Sequence, residues 1–167
     1  TEFITSGGRG WSKYFHQDGD YFIRSGDVQM GRLDLSKPQF VSPPDNAEAK
    51  RTKVKFNDVL LTITGSRIGR AASVKLDSEG GYISQHVALI RVDETKLLAD
   101  FLVILLCIES YGQKQIRKFQ YGQTKPGLNF SQISNFIFPL PSIDEQKIFL
   151  KNISLMKSNF KFLELRM

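Results

Sequence analysis

Short apolar blocks alternate with polar loops along roughly the first 90 positions, and two longer helical patterns follow. The stretch "YFIRSGDVQMG" at 21–31 reads as a short strand that stops at a Ser-Gly-Asp turn. "SKPQFVSPPDN" at 36–46 is loop, and "AEAKRTK" after it predicts a short helix capped by Asp45 or Asn46. "VKFNDVLLTIT" at 54–64 predicts a strand, with Asn57-Asp58 turning the chain before its buried part. "AASVKL" predicts the returning strand, and "YISQHVALIRV" at 82–92 a third, with Gln85 and His86 facing opposite sides of it. The first 20 residues show no such block. Gly7, Gly8 and Gly10 predict a specially shaped loop there.

"DETKLLADFLVILLCIESYGQKQIRKF" at 93–119 predicts a long helix, buried in its first half, basic in its second, and weakened near Gly112. "FSQISNFIFPLP" reads as one helical turn and a strand ending at Pro139 and Pro141. A second helix opens at Ser142, where Ser142 and Glu145 have the spacing of a capping box. Its apolar residues Phe149, Ile153, Met156, Phe160, Leu163 and Met167 follow steps of four and three, as in a coiled coil. Ile148, Leu155 and Phe162 widen that face. The stripe predicts a helix that pairs with another helix, against the plainer possibility that it packs only on its own domain.

Composition changes this picture modestly. Apolar residues make up 41% of the 167, enough for one domain with a core. The chain lacks an initiator Met, which leads to the expectation of an excised domain. There are 23 Lys and Arg against 17 Asp and Glu, a balance that favours an anionic partner without identifying it. "KRTKVK" at 50–55 and "KQIRK" at 114–118 concentrate that charge, although such runs are ordinarily solvated faces. The single cysteine, Cys107, excludes a disulfide framework and suits a reducing compartment. The longest apolar run, Phe101 to Ile108, is too short to cross a membrane.

Catalytic patterns are sparse. His16 and His86 have no cysteine partners at zinc-ligand spacing. "GSRIGR" at 65–70 lacks the lysine of a phosphate loop and no helical pattern follows it. One enzymatic reading stands: Glu94-x-Lys96, with Asp77 or Asp58, could hold Mg²⁺ in a small metal-dependent nuclease. A plain oligomerisation module built on the last helix is a further alternative. The remaining chemistry lies at loop tips. Ser6, Arg9, Trp11, Lys13 and Tyr14, then Arg24, then Ser66, Arg67 and Arg70, then Gln85 or His86, then Tyr121, Gln123 and Lys125 suit contacts to base edges and phosphates. Each alone is equally a solvated polar group, and Trp11 and Tyr14 are equally core aromatics. Arg67 is a better candidate than Arg70, which can belong to the returning strand.

Three segments together resemble the target recognition domain of the DNA-specificity subunit of type I restriction-modification systems. They are "YFIRSGDVQMGRLD", "KFNDVLLTITGSRIGRAASV" and "GQTKPGLNFSQISNFIFPLPSIDEQKIF". The Pro139, Pro141, Glu145 and Gln146 spacing is the most specific element. Asn57 departs from the family's usual glycine. The resemblance implies an α+β fold: a twisted, partly barrel-like sheet with packed helices, followed by a long helix of coiled-coil type. Residues 1–141 would recognise DNA and 142–167 would begin a spacer helix, which pairs through Phe149, Ile153, Met156, Phe160 and Leu163 with another helix or with a second copy of itself. It implies a non-catalytic, cytoplasmic, prokaryotic protein that reads one half of a bipartite double-stranded DNA site. Cofactors would be absent from this chain. Modification subunits would bring S-adenosylmethionine, and the restriction subunit ATP and Mg²⁺.

Overall fold

A computed structural model describes residues 2–120 and 127–164, with side chains as far as Lys157. The fold is mixed α+β in three layers. A four-stranded antiparallel sheet forms the middle layer, in the order β1 (Phe3–Ser6), β8 (Val87–Arg91), β5 (Val59–Thr62), β6 (Ala71–Ser73). A second sheet covers one face, in the order β2 (Phe15–His16), β4 (Phe40–Val41), β3 (Asp20–Ile23), β7 (Tyr82–Ile83). Helices cover the other face. Both sheets are open, so the expected partly barrel-like sheet is instead two stacked sheets.

The two-residue period of a strand explains the layering. On β5 and β8, Val59, Leu61, Ala88 and Ile90 point toward the helices and pack on Leu102, Leu106, Ile116 and Ile133. Leu60, Val87 and Leu89 point the other way and pack with Ile23 and Ile83 of the second sheet and with Val28 of the turn after β3. A strand with two covered faces reads as a continuous apolar run, which is why "VLLT" is buried throughout.

Several elements differ from the sequence pattern. The N-terminal loop is preceded by β1, which pairs in register with β8 from Phe3 opposite Arg91 to Ser6 opposite Ala88. The predicted 82–92 strand is two strands in different sheets, broken by a turn at Ser84 to His86. Its apolar content is right for both halves, and only the polar triplet marks the crossing. The long helix starts later and breaks earlier than predicted. α2 runs Ala99–Cys107, and extended Ile108 ends it; α3 runs Lys114–Gln120. Between them one wide turn is closed by Gln113 N–H donating to the Ile108 carbonyl at 3.2 Å. Gly112 lies in that turn, where an added Cβ would meet the Leu106 carbonyl oxygen at 2.4 Å.

α1 (Ala47–Thr52) is capped by Asn46, whose side chain accepts from Ala49 N–H. α4 (Phe130–Ser134) is the predicted helical turn, but the segment after it forms no strand. Pro139 and Pro141 cannot donate to a ladder. Ile137 instead exchanges both backbone bonds with the Gln115 carboxamide, at 2.8 and 2.9 Å. α5 (Ile143–Glu164) begins at the predicted capping box: Ser142 N–H donates to Glu145 at 2.8 Å, and Glu145 N–H to Ser142 Oγ at 3.4 Å. Its stripe starts as an intradomain contact. Phe149 meets Phe101 edge-on at 5.5 Å, and Ile153 lies along a groove with Val103 and Ile104 of α2. Met156 is exposed, and the side chains of Phe160 and Leu163 lie outside the described residues.

Asn57 adopts φ 64°, the left-handed conformation that asparagine tolerates and glycine prefers. This accounts for an asparagine at the family's glycine position. Asp58, next to it, is 1% exposed in its side chain and accepts two bonds from Arg91, at 2.7 and 2.6 Å. Asp58→Ala should destabilise the fold by about 3 kcal/mol, since it strands a partly buried guanidinium. Asn57→Val should cost about 1–2 kcal/mol and Asn57→Gly much less. Urea denaturation midpoints of the three variants test this order.

Candidate nucleic-acid interface

Two turns of the same construction occur in the fold, and the first of them, 24–29, borders the site. In each, an aspartate three residues after a basic residue closes the turn. Arg24 N–H donates to Asp27 at 2.8 Å, and Lys55 N–H donates to Asp58 at 2.7 Å. Each carboxylate then takes an arginine fork. Arg24 grips Asp27 through Nε at 3.0 Å and Nη2 at 2.9 Å. The bonds to Asp27 hold the Arg24 guanidinium above its ordinary pKa, against the opposing effect of burial. Arg24 Nη2 also donates to the Lys37 carbonyl at 2.8 Å. Arg24 is therefore first a brace for its own turn, with Nε and Nη2 committed.

The 65–70 loop is an ordinary hairpin turn between β5 and β6. Gly65 and Gly69 have φ 87° and 90°, and Gly69 N–H donates to the Thr62 carbonyl at 3.0 Å. Its tip is laced to the 24–29 turn. Arg67 Nη1 donates to the Gly26 carbonyl at 2.6 Å, and Gln29 Nε2 donates to the same oxygen at 2.7 Å. Arg70 Nη1 donates to Gln29 Oε1 at 2.5 Å. Arg67 and Ser66 are exposed at the tip, whereas Arg70 is half-buried at the start of the return.

A shallow concavity opens beside these turns. Gly8, Gly10, Ser12, Arg24, Gln85 and His86 line it, with Trp11 and Phe22 behind. Gly7 permits the close approach of this loop to β7, because a Cβ there would fall 1.8 Å from the Ile83 carbonyl oxygen. Gln85 and His86 occupy the turn between β7 and β8, so both reach the same surface. This corrects the expectation that they face opposite sides of one strand. Their rings and amides are linked: Gln85 Nε2 lies 3.2 Å from His86 Nε2, and His86 Nδ1 bonds Thr64 Oγ1. Gln85 Oε1 is buried and has no partner among the described residues. Thr64 also forms an isolated bridge with Gly127, and Leu128 N–H donates to the Ile63 carbonyl at 2.9 Å. The chain therefore rejoins the described structure beside the hairpin and His86. Tyr121, Gln123 and Lys125 lie outside the described residues.

Trp11 requires a second correction. It is 3% exposed, stacks on Phe22 at 5.7 Å, contacts Tyr82 at 5.3 Å, and donates through Nε1 to Glu48. A ring so enclosed is core and offers no face to a base. Tyr14 is half-buried at its edge, 6.1 Å from Trp11, and Lys13 Nζ lies 4.9 Å over the Tyr14 ring. Arg9 is exposed. Ser6 ends β1, and its carbonyl accepts from Arg51.

A model of the type I restriction modification DNA specificity domain matches residues 8–161. The chain belongs to that family. It is 31% identical over 137 residues to the type I restriction enzyme EcoBI specificity subunit of Escherichia coli, covering 82% of this chain and 28% of that protein. The fold resembles the HsdS subunit from Thermoanaerobacter tengcongensis, with TM-score 0.69, 15% identity, and 99% of this chain on 37% of that one. It also resembles the S subunit from M. genitalium, with TM-score 0.59, 16% identity, and 96% of this chain on 38% of that one. This specificity domain thus spans between 28% and 38% of the length of these relatives.

The nuclease constellation does not assemble in this specificity domain. Lys96 Nζ pairs with Asp93 at 2.8 Å, and the hydrogen bonds from Lys96 and Thr95 hold the Asp93 carboxyl at a pKa of about 2. Glu94 accepts from Asn57 at 2.8 Å, and Asp58 is taken by Arg91. Among the described residues, no three His, Cys, Asp or Glu side chains gather as a metal site requires.

Sequence reading missed Gln29 and Thr64, which lace the loops together. The signal for the two aspartate-closed turns was available: Arg24-x-x-Asp27-Val28 repeats as Lys55-x-x-Asp58-Val59. The geometry separates bracing arginines from a displayed one. Arg24→Met should lower stability by about 1–2 kcal/mol after allowance for the exposed side of the pair. Arg67→Ala should stay within about 0.5 kcal/mol of wild type. Thermal and urea unfolding of both variants checks the contrast.

Proposed function

We propose that this chain is one target recognition domain of a type I specificity subunit, reading one half of a bipartite double-stranded DNA site. The observation that carries the reading is the gathering of separate polar turns at one edge of a specificity-family domain. The 7–14 loop, the 24–29 turn, the 65–70 tip and the Gln85-His86 turn meet there. Gly127, the first described residue after 121–126, bridges Thr64 at the same edge. Arg67, Arg9, Lys13 and Ser66 supply donors for phosphates and guanine edges, while Gln85 and His86 supply base-edge contacts from the concavity.

In this reading residues 1–141 recognise DNA, and 142–167 begin a spacer helix of coiled-coil type. Met156, Phe160 and Leu163 continue the stripe that Phe149 and Ile153 start against α2, and they pair with another helix of the assembly. The domain itself is non-catalytic and works in the cytoplasm of a prokaryote. It directs adenine methylation and restriction by modification and restriction subunits, to which S-adenosylmethionine, ATP and Mg²⁺ belong. A single half-site offers few base contacts, each worth about 1–3 kcal/mol of discrimination. Two linked recognition domains overcome that weakness, which is a physical reason for a bipartite target.

Exchanging this domain into a related specificity subunit, followed by methylome sequencing, should change one half of the methylated motif. An unchanged motif sinks the reading. At the residue scale, Arg67→Ala should weaken binding to the cognate duplex. If Arg67 meets a phosphate, the loss is uniform across sequences and the salt slope falls by about one; if it meets a guanine, the loss is about 1–3 kcal/mol at one position.

A further inference from the structure

Gln146 is fully buried on a helix whose neighbouring residues Glu145 and Lys147 are exposed. A glutamine carries one acceptor and two donor hydrogens, and here each of these functions is used on backbone. Oε1 accepts from Leu98 N–H at 2.9 Å. Nε2 donates to the Lys96 carbonyl and to the Pro141 carbonyl, each at 2.9 Å. Leu98 caps α2, Lys96 lies in the turn before it, and Pro141 precedes α5. One side chain therefore ties the first turn of α5 to the start of α2 and to the strand-like segment that leads in. Glu145 has a separate task, since its bonds close the capping box within α5's own first turn.

Farther along, α5 lies against α2 chiefly through apolar side chains, with Ser154 and Lys157 beside Asp100 at the groove's far end. Phe149 touches Phe101, and Leu150 and Ile153 lie along the groove formed with Val103, Ile104 and Cys107. Van der Waals contacts of this kind set a distance and tolerate rotation. The three bonds of Gln146 set a direction, because they reach two chain segments at the root of the helix, 96–98 and Pro141.

We propose that Gln146 is a positioning residue that fixes the angle at which α5 leaves the globular part, and so fixes the spacing between half-sites that the intact protein accepts. This rests on the reading of the chain as a recognition domain followed by a spacer helix. The lever arm gives the size of the effect. α5 has 22 residues, so its far end lies about 33 Å from its root. A rotation of about 10° at the root moves that end by roughly 5–6 Å, whereas a base pair rises about 3.4 Å. A loose root therefore blurs the spacing by more than one base pair.

The test uses the full-length protein assembled with its modification subunits. Methyl transfer is measured on duplexes carrying the native spacer and spacers one base pair shorter or longer. Gln146→Met keeps the side-chain length and removes all three bonds. It should reduce the preference for the native spacer by about tenfold, as expected when hydrogen bonds of this kind are lost. Discrimination against base changes within each half-site should persist. An unaltered spacer profile in a folded Gln146→Met protein overturns the proposal.

Should Gln146→Met fail to fold, Gln146→Glu decides. It retains the acceptor for Leu98 and loses both donations, so a smaller loss of spacer preference supports the proposal and none overturns it. A wild-type assembly that methylates no bipartite site rejects the recognition reading instead. In that case the joint is judged without DNA, from the spin-label distance distribution between Glu79→Cys and Met156→Cys in a Cys107→Ser background. Broadening on Gln146→Met supports the joint, and an unchanged width rejects it.

Discussion

A carboxylate sealed at the foot of the middle sheet sets where its central strand begins. Asp58 accepts from Lys55 N–H and from both arms of the Arg91 fork. The pair joins the start of β5 to the end of β8, and those two strands carry apolar residues to both faces of the sheet. A shift of one residue there would exchange the two sets, moving Leu60 and Leu89 toward the helices and Val59 and Ile90 away from them. Removing Asp58 from water is unfavourable unless its geometry is satisfied. Only the native register brings Arg91 opposite, which makes the pair a device of register more than a source of net stability. The bonds to Asp58 hold the Arg91 guanidinium above its ordinary pKa, in spite of burial.

The same turn, used again, places the candidate site. Asp27 holds the 24–29 turn as Asp58 holds the 55–58 turn, and the first of these receives the hairpin tip through the Gly26 carbonyl. A polar loop cannot pack as a core does, so its position must come from hydrogen bonds to other loops. Gln29, Arg70 and Thr64 provide these at the cost of their own freedom to meet a ligand. This division explains why a surface rich in arginine displays few of them freely. Arg24 and Arg70 are spent on shape, and Arg67 stands exposed at the tip, with Nη1 alone tied to the Gly26 carbonyl.

The sequence was most legible where a local rule had one solution. The Ser142 and Glu145 capping box, the Asn46 cap and the two hairpin glycines formed as their chemistry required. It was least legible where an apolar run served two partners. "YISQHVALIRV" has the composition of one strand, and nothing in its period tells that Tyr82 and Leu89 belong to different sheets. β1 escaped notice because "FITS" is too short to show alternation, and only its partner β8 makes it a strand. Trp11 could be read either way from its neighbours, and the deciding fact was tertiary: Phe22, Tyr82 and Glu48 enclose it. The candidate site was legible as a set of loops but not as a surface, since Gln85 joins His86 only through the turn that the pattern concealed.

The C-terminal helix shows how one residue pattern can serve two neighbours in succession. Steps of four and three place Phe149, Ile153 and Met156 on a common stripe. The stripe lies against α2 at Phe149 and Ile153, but Met156 and Leu155 are exposed beyond it. α2 is only nine residues long, about 14 Å, so it covers roughly the first half of a helix of 22. An apolar stripe that outruns its intramolecular partner gains further stability only from a second surface. The helix therefore has a root tied by Gln146 to the start of α2 and an apolar stripe that outruns α2 beyond Ile153.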